Sequence, residues 1–334
     1  MRALIGHACR AGASVETFRE AHGERSRTGF GRLLVFSTHG RWERHKILRS
    51  GRGPPAVVVG TRCGGLTVTN DERAPVELNV DVAHPARMYD YYLGGKDNYE
   101  ADRRAAEASL EVAPEIRAIA RENRAFLERA VRHLVRSGVR QFLDIGAGLP
   151  TQRNVHETAQ EIAPDTRVVY VDNDPIVLVH ARALLSAYGL GRTAVVQADV
   201  REPEAIVADE QVNALIDFEQ PLAVMLVSVL QFVPDREPHE IVATLRDAMP
   251  QGGYLVLSHP TQDFRGDQAN QVASTYNRAK APAVARRKAE IERIFEGFEL
   301  LEPGIVQTPL WRPEGEVTSD LDLIWMYGAV GRKL

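Results

Sequence analysis

The period of the hydrophobic positions changes near residue 138. From Pro114 up to Ser137-Gly138, apolar residues recur at three- and four-residue steps, which predicts one long amphipathic helix ended by a glycine. Beyond it, short apolar runs alternate with helix-length segments, a pattern typical of a parallel sheet covered by helices. The predicted strands are Gln141–Ile145, Arg167–Val171, Ala194–Gln197, Leu222–Val229 and Tyr254–Ser258.

Two further strand-like runs lie near the C-terminus. They are Glu299–Gln307 and Leu321–Val330, and a turn-rich stretch separates them without room for a helix. Two strands joined in this way are expected to pair as an antiparallel hairpin. The whole pattern predicts an α/β fold with a doubly wound, Rossmann-like sheet.

The first 75 residues carry no sustained helix or strand period. Residues 1–70 contain 12 Lys and Arg against 4 Asp and Glu, and Pro54-Pro55 lies in their middle. We therefore expect a basic, poorly ordered extension over 1–75, with the alternative that translation starts further downstream. The predicted domain is 76–334, divided into a helical, lid-like region at 76–138 and a sheet core at 139–334.

Composition narrows the function classes. The chain has 41 basic and 45 acidic residues in total, so the part after the extension is acidic and is not expected to bind nucleic acid. Cys9 and Cys63 are the only cysteines, and no His-x-His or His-Glu-x-x-His spacing occurs, so no metal site is expected. No apolar run approaches the roughly 18 residues of a membrane helix, which predicts a cytoplasmic protein with no membrane partner.

The strongest chemical signal is a glycine turn after the first predicted strand. Gly146 and Gly148 follow Phe142–Ile145, and such a turn lets the backbone approach a ligand at the carboxyl edge of the sheet. A dinucleotide fingerprint would need a third glycine where Thr151 stands. Asp144 is also unfavourable beside a diphosphate but well suited to the ammonium group of S-adenosylmethionine. An ordinary tight turn is the alternative.

Two more carboxylates follow predicted strands. Asp172 ends the second strand 24 residues after Gly148, where it can accept hydrogen bonds from both ribose hydroxyls of an adenosine cofactor. Asp199 follows the third strand, where it can accept from the adenine amino group. Each could instead cap the next helix. The three markers in order at successive strand ends favour an adenosine site.

Several stretches resemble the actinobacterial S-adenosylmethionine-dependent methyltransferases long classified as a domain of unknown function. The similarity covers about 75–332, and the string from Tyr89 to Asn98 is its most specific part. The matching stretches are His84–Tyr99, Phe142–Thr151, Asn154–Glu157, Tyr170–Pro175, Ala198–Arg201 and Leu255–His259.

The resemblance implies a seven-stranded sheet with an antiparallel last strand, and S-adenosylmethionine as cofactor. It places Asp144 and the glycine turn at the methionine end, Asp172 at the ribose and Asp199 at the adenine. The full predicted cofactor set is Asp144, Gly146, Ala147, Gly148, Asp172, Asn173, Asp199, Val200 and Ser228. A small-molecule methyl acceptor is expected, and the oligomeric state is left open.

The acceptor is expected beyond the fourth strand, near Ser228–Gln231, because ligands bind where strand order reverses. His259, after the fifth strand, is the candidate general base, with a hydrogen-bonded structural histidine as its alternative. The segment 89–99 is interpreted either as a loop closing over the pocket or as packing of the N-terminal helices. Its candidate substrate or lid residues are Tyr89, Tyr92, Gly94, Gly95, Lys96 and Asn98, together with Gln231.

Two rival functions remain at this point. A nicotinamide oxidoreductase shares the sheet and the ribose carboxylate, although Asp144 and the missing third glycine disfavour it. A non-catalytic regulatory protein that binds S-adenosylmethionine is the other, because no obligatory catalytic residue defines methyltransferases as a class.

Overall fold

A computed structural model describes residues 80–150, 153–188, 192–234, 238–279 and 282–334, together with three short strands nearer the N-terminus. The chain divides into two compact units, Met1–Ala74 and Pro75–Leu334. No helix within the described residues is long and apolar enough to cross a membrane.

The three strands of the first unit form an antiparallel sheet. They are Ser14–Glu16, Gly31–Phe36 and Trp42–Ile47, paired in that order. The sequence did not predict them, since four consecutive polar residues at 43–46 interrupt any apolar alternation in the third strand. Apart from these strands, residues 1–75 lie outside the described residues, so the expectation of poor order there stays a prediction.

The second unit is built on one large sheet. Its strands are β1 (Gln141–Ile145), β2 (Arg167–Asp172), β3 (Thr193–Gln197), β4 (Ala223–Val227), β5 (Tyr254–Pro260), β6 (Phe298–Leu300), β7 (Val306–Gln307) and β8 (Met326–Lys333). Across the sheet the order is β7-β8-β5-β4-β1-β2-β3, and β6 pairs with β8 on the same side as β7. The first five strands are parallel, and β8 is antiparallel to β5. The prediction of seven strand positions with an antiparallel last strand is confirmed.

Several strand ends differ from the predicted bounds, and two of these differences have local reasons. β4 stops at Val227 because Ser228 takes a left-handed backbone conformation, with φ of 57°. β8 begins at Met326 rather than Leu321, since residues 321–323 form a turn of 3₁₀ helix. The Asp320 side chain caps that turn by accepting a hydrogen bond from the Asp322 amide.

Helices cover both faces of the sheet. The long predicted helix is α3 (Ile116–Arg136), and its end at Ser137-Gly138 matches the prediction. Gly138 has φ of +96°, the left-handed conformation in which glycine commonly ends a helix. The helices are α1 (Pro85–Tyr92), α2 (Glu100–Val112), α3 (Ile116–Arg136), α4 (Val155–Ile162), α5 (Pro175–Tyr188), α6 (Pro203–Ala208), α7 (Glu210–Leu215), α8 (Pro238–Ala248), α9 (Gly266–Arg278) and α10 (Lys288–Ile294).

The core follows from the alternation of side chains along the strands. In β1, Phe142 faces the cluster that contains the α3 residues, whereas Leu143 faces the cluster on the opposite side of the sheet. A third cluster joins α1, α2 and α3 to α9 and to residues 324–326. This third cluster fixes α1 and α9 beside the sheet, where both contribute walls to a cleft.

Candidate functional site

A large cleft lies at the carboxyl ends of the parallel strands. β1 lies between β4 and β2, so the order of connection reverses at this point, where open α/β sheets bind their ligands. The cavity volume is about 380 Å³, within the roughly 300–1,000 Å³ of small-molecule sites. Its walls include every predicted cofactor residue: Asp144, Gly146, Ala147, Gly148, Asp172, Asn173, Asp199, Val200 and Ser228.

The glycine turn after β1 is fixed to β2 by its own backbone. Gly146 has φ of +75°, and its N–H donates to the Val171 carbonyl at 2.8 Å. A Cβ on Gly146 would lie 2.4 Å from Cγ2 of Val229, so both conformation and space require glycine. Gly148, with φ of +68°, donates its N–H to Oδ2 of Asp172 at 2.9 Å.

Asp144 is a buried carboxylate in the wall of the cleft. Burial, against the opposing positive charge of Arg124 and with a smaller contribution from the nearby charge of Asp172, raises its pKa to about 7. Only 5% of the residue is exposed. A cation bound in the cleft would stabilise the ionised form, so the site favours a positively charged group.

Asn123 is a cleft residue that the sequence did not single out. It lies on the buried face of α3, and its Nδ2 donates to the Tyr89 hydroxyl at 3.0 Å. The Tyr89 hydroxyl in turn donates to the Ala120 carbonyl at 3.0 Å. Oδ1 of Asn123 is buried without a hydrogen-bond partner. A polar residue on the apolar stripe of a helix was the signal available in the sequence.

Asp172 is held by two backbone amides. Its Oδ2 accepts from Gly148 and its Oδ1 from Asp174, both at 2.9 Å. Burial raises its pKa, although these two hydrogen bonds counteract part of the increase. Each carboxylate oxygen has two lone pairs, so Asp172 keeps acceptor capacity on the cleft side.

Asp199 has a partner that the sequence interpretation did not consider. Nε and Nη2 of Arg201 donate to its two oxygens at 2.9 and 2.6 Å, and Nδ2 of Asn173 donates at 3.1 Å. The hydrogen bonds from Arg201 lower the pKa of Asp199 to about 2. The carboxylate is therefore ionised and oriented at the rim of the cleft.

The structure contradicts the candidate general base at His259. The residue is fully buried and does not belong to the walls of the cleft. Its Nδ1 donates to the Pro260 carbonyl at 2.8 Å, and its Nε2 accepts from Nη1 of Arg286 at 2.8 Å. Burial, with the Arg286 charge, lowers its pKa to about 3. Both nitrogens are occupied, so the structural alternative describes this histidine.

The segment 89–99 is not one continuous loop, because its first residues lie in a helix, and its closure over the cleft stays a prediction. Tyr89 and Tyr92 lie in α1, Tyr89 lines the cleft, and Tyr92 is buried with its hydroxyl accepting from Tyr276 at 3.2 Å. The candidate residues Gly94, Gly95, Lys96 and Asn98 lie outside the walls of the cleft.

The turn after α1 instead packs against that helix. Asn98 is buried and its Nδ2 donates to Oδ2 of Asp90 at 2.8 Å. A Cβ on Gly95 would lie within 3 Å of the same carboxylate, so the glycine permits this close approach. Lys96 is exposed.

The loop after β4 brings Ser228 and Gln231 together. Nε2 of Gln231 donates to the Ser228 carbonyl at 2.9 Å and to its hydroxyl oxygen at 2.7 Å. Both residues line the cleft, as the sequence predicted for this loop, and both also line a smaller cavity beside it. The smaller cavity is apolar and has a volume of about 80 Å³.

Comparison with known proteins places this cleft in context. The S-adenosyl methyltransferase family matches residues 71–334. Two crystal structures are each 42% identical to this chain. A DUF574 family protein from Streptomyces avermitilis covers 77% of this chain and 100% of its own, with a TM-score of 0.74. A candidate methyltransferase from Thermobifida fusca covers 78% and 98%, with a TM-score of 0.73. None of the curated proteins matches.

Proposed function

Since the chain belongs to the S-adenosyl methyltransferase family, we propose that it transfers the methyl group of S-adenosylmethionine in line to a small-molecule acceptor. The observation that carries the proposal is the buried carboxylate of Asp144, with its pKa raised to about 7, in the wall of the cleft at the carboxyl ends of the strands. An ammonium group is the ligand that such a carboxylate favours.

The residues of the cleft fit the cofactor. Asp144 and the unpartnered Oδ1 of Asn123 are the acceptors for the ammonium group. Asp172 would hold the ribose hydroxyls and Asp199 the adenine amino group, with Asn173 beside both. A diphosphate would instead meet three carboxylates in one cleft, and this repulsion disfavours a nicotinamide cofactor. Thr151, where a dinucleotide fingerprint has its third glycine, lies outside the described residues.

Bound S-adenosylmethionine supplies a methyl group on a positively charged sulfur, already activated for displacement. The task of the chain is to align the acceptor with that carbon and to exclude water. The loop from Ser228 to Gln231 lies at the acceptor side, with the left-handed conformation of Ser228 turning the chain into the cleft. A lone pair of the acceptor would form the new bond as the carbon–sulfur electron pair returned to sulfur, and the acceptor's proton would pass to solvent once the product leaves the cleft.

Two features support a small acceptor. The smaller apolar cavity, which is lined in part by α1 and α9, has a volume of about 80 Å³. This volume leaves little room for the side chain of a protein substrate together with its backbone. The second unit also lacks the basic, aromatic-interleaved strip that nucleic-acid binding requires.

Equilibrium binding tests the cofactor, and labelling tests the acceptor. We expect calorimetry to detect S-adenosylhomocysteine and no NAD; the reverse result overturns the proposal. Incubation with methyl-labelled cofactor and a cell extract should then label a low-molecular-weight product. Label only in protein or nucleic acid would overturn the small-molecule acceptor, and binding with no transfer in any extract would favour the regulatory alternative.

A further inference from the structure

We propose that the apolar cavity beside the cleft is the acceptor subsite. It takes a small neutral molecule with a single apolar ring and one N–H or O–H group. That group donates a hydrogen bond to Oε1 of Gln231. This inference rests on the proposed function, because an acceptor subsite needs a neighbouring methyl donor.

The cavity adjoins the cofactor cleft. Five residues line both spaces, so a molecule in the cavity is separated from the cleft by no more than these side chains. They are Tyr89, Ser228, Gln231, Phe232 and Tyr276. The rings of Phe232 and Tyr276 lie at this junction, with their centroids 5.5 Å apart and an interplanar angle of 49°.

The walls of the cavity select against charge. Among the described residues that line it, none is Asp, Glu, Lys, Arg or His. Burial raises the pKa of each of its three tyrosines, Tyr89, Tyr92 and Tyr276, so all three are neutral at pH 7. A charged acceptor would lose its hydration and gain no counter-charge here.

Among the described residues of the lining, Gln231 supplies the only buried side-chain polar atom that has no hydrogen-bond partner. The residue is 6% exposed, and both hydrogen bonds to Ser228 use its Nε2. Oε1 is buried and has no partner. A buried acceptor without a donor is unfavourable, so a ligand that donates a hydrogen bond gains an interaction that an apolar ligand of the same shape lacks.

The size of the cavity limits the ligand to one ring. Its volume of about 80 Å³ is smaller than the ~150 Å³ of an apolar cavity that admits benzene. The ring must therefore extend partly into the junction between Phe232 and Tyr276, where aromatic contacts favour a planar body. A fused polycyclic acceptor does not fit this description.

Three probe molecules test the ring, the donor and the charge separately. p-Cresol, toluene and p-toluate are titrated into the full-length protein saturated with S-adenosylhomocysteine, and binding is followed by ligand-observed NMR. We expect p-cresol to bind at least about fivefold more tightly than toluene, and p-toluate not to bind. Gln231→Leu, or Gln231→Met where the leucine variant is unstable, should remove the preference for p-cresol over toluene.

A cavity-filling variant locates the binding. Ala273 in α9 lines the cavity, so Ala273→Phe should abolish binding of p-cresol and toluene. Ser274→Phe adds the same ring at the next, exposed position of the helix and should leave binding unchanged.

The outcomes separate the two proposals. S-Adenosylhomocysteine affinity is measured first on every variant, and its absence in the wild-type protein overturns the proposed function. If that affinity is normal but p-cresol does not bind, binds no better than toluene, or still binds to Ala273→Phe, the acceptor subsite is refuted while the methyltransferase function stands.

Discussion

Replacing Asp144 with asparagine tests the electrostatic basis of cofactor binding. The side chain is 5% exposed, and the substitution keeps its shape while removing the negative charge. A hydrogen bond to a charged group contributes about 1.5–3 kcal/mol. At pH 7.5 we therefore expect Asp144→Asn to weaken S-adenosylhomocysteine binding by about 10- to 150-fold.

The pH dependence follows from the raised pKa of Asp144. With a pKa of about 7 in the free protein, the carboxyl group is mostly protonated below pH 7, and the ammonium ligand must displace that proton. Affinity should thus rise with pH, by about 15-fold between pH 5.5 and pH 7. In Asp144→Asn this increase should disappear.

A truncated ligand is the matched control. 5′-Methylthioadenosine keeps the nucleoside and the sulfur but lacks the amino-acid group, so its affinity should change little with Asp144→Asn or with pH. Both ligands are titrated by calorimetry into the two proteins. Equal losses for both ligands, or a pH-independent affinity in the wild type, would refute the placement of the ammonium group at Asp144.

Three further substitutions test how residues around the site contribute to the stability of the protein. Gly146→Ala should destabilise the protein in urea by about 1–3 kcal/mol more than Gly94→Ala, because only the first Cβ meets a neighbouring side chain, although both glycines have positive φ. Arg87→Leu should cost about 3–5 kcal/mol in the same assay, since it leaves the buried carboxylate of Asp102 without its ion pair and removes one of the two ion-pair partners of Asp174; a loss below 1 kcal/mol would contradict that pairing. His259→Phe should lower stability by about 1–3 kcal/mol, because it removes one of the acceptors of the buried Arg286 guanidinium. A pH–rate inflection near 6.5 that vanishes in this variant would instead restore a catalytic histidine.

Parts of the site could be predicted because they depend on local chain properties. A parallel strand presents its last residues at one edge of the sheet, so Asp144 and Asp172, each at the end of an apolar run, were expected at the same cleft. The backbone of Gly146 needs positive φ, which the sequence expresses directly as glycine. The expectation of a parallel sheet covered by helices also followed from the alternation of apolar runs and helix-length segments.

Other parts depended on partners far apart in the chain. His259 follows a strand just as Asp144 and Asp172 do, but only the fold brings Arg286 to its Nε2. In the sequence, Asn123 is one position on the buried face of a long helix, and only the packing of α1 brings the Tyr89 hydroxyl within hydrogen-bond distance of it.

The sequence by itself thus determined the sheet, the glycine turn and the acidic strand ends, because periodicity and backbone conformation are encoded over a few residues. Only the tertiary structure decided that Asn123 and Gln231 each keep a buried oxygen without a partner, and that His259 has no free nitrogen. Whether a polar atom is satisfied depends on which distant groups the fold brings within hydrogen-bond distance, and no local pattern records that.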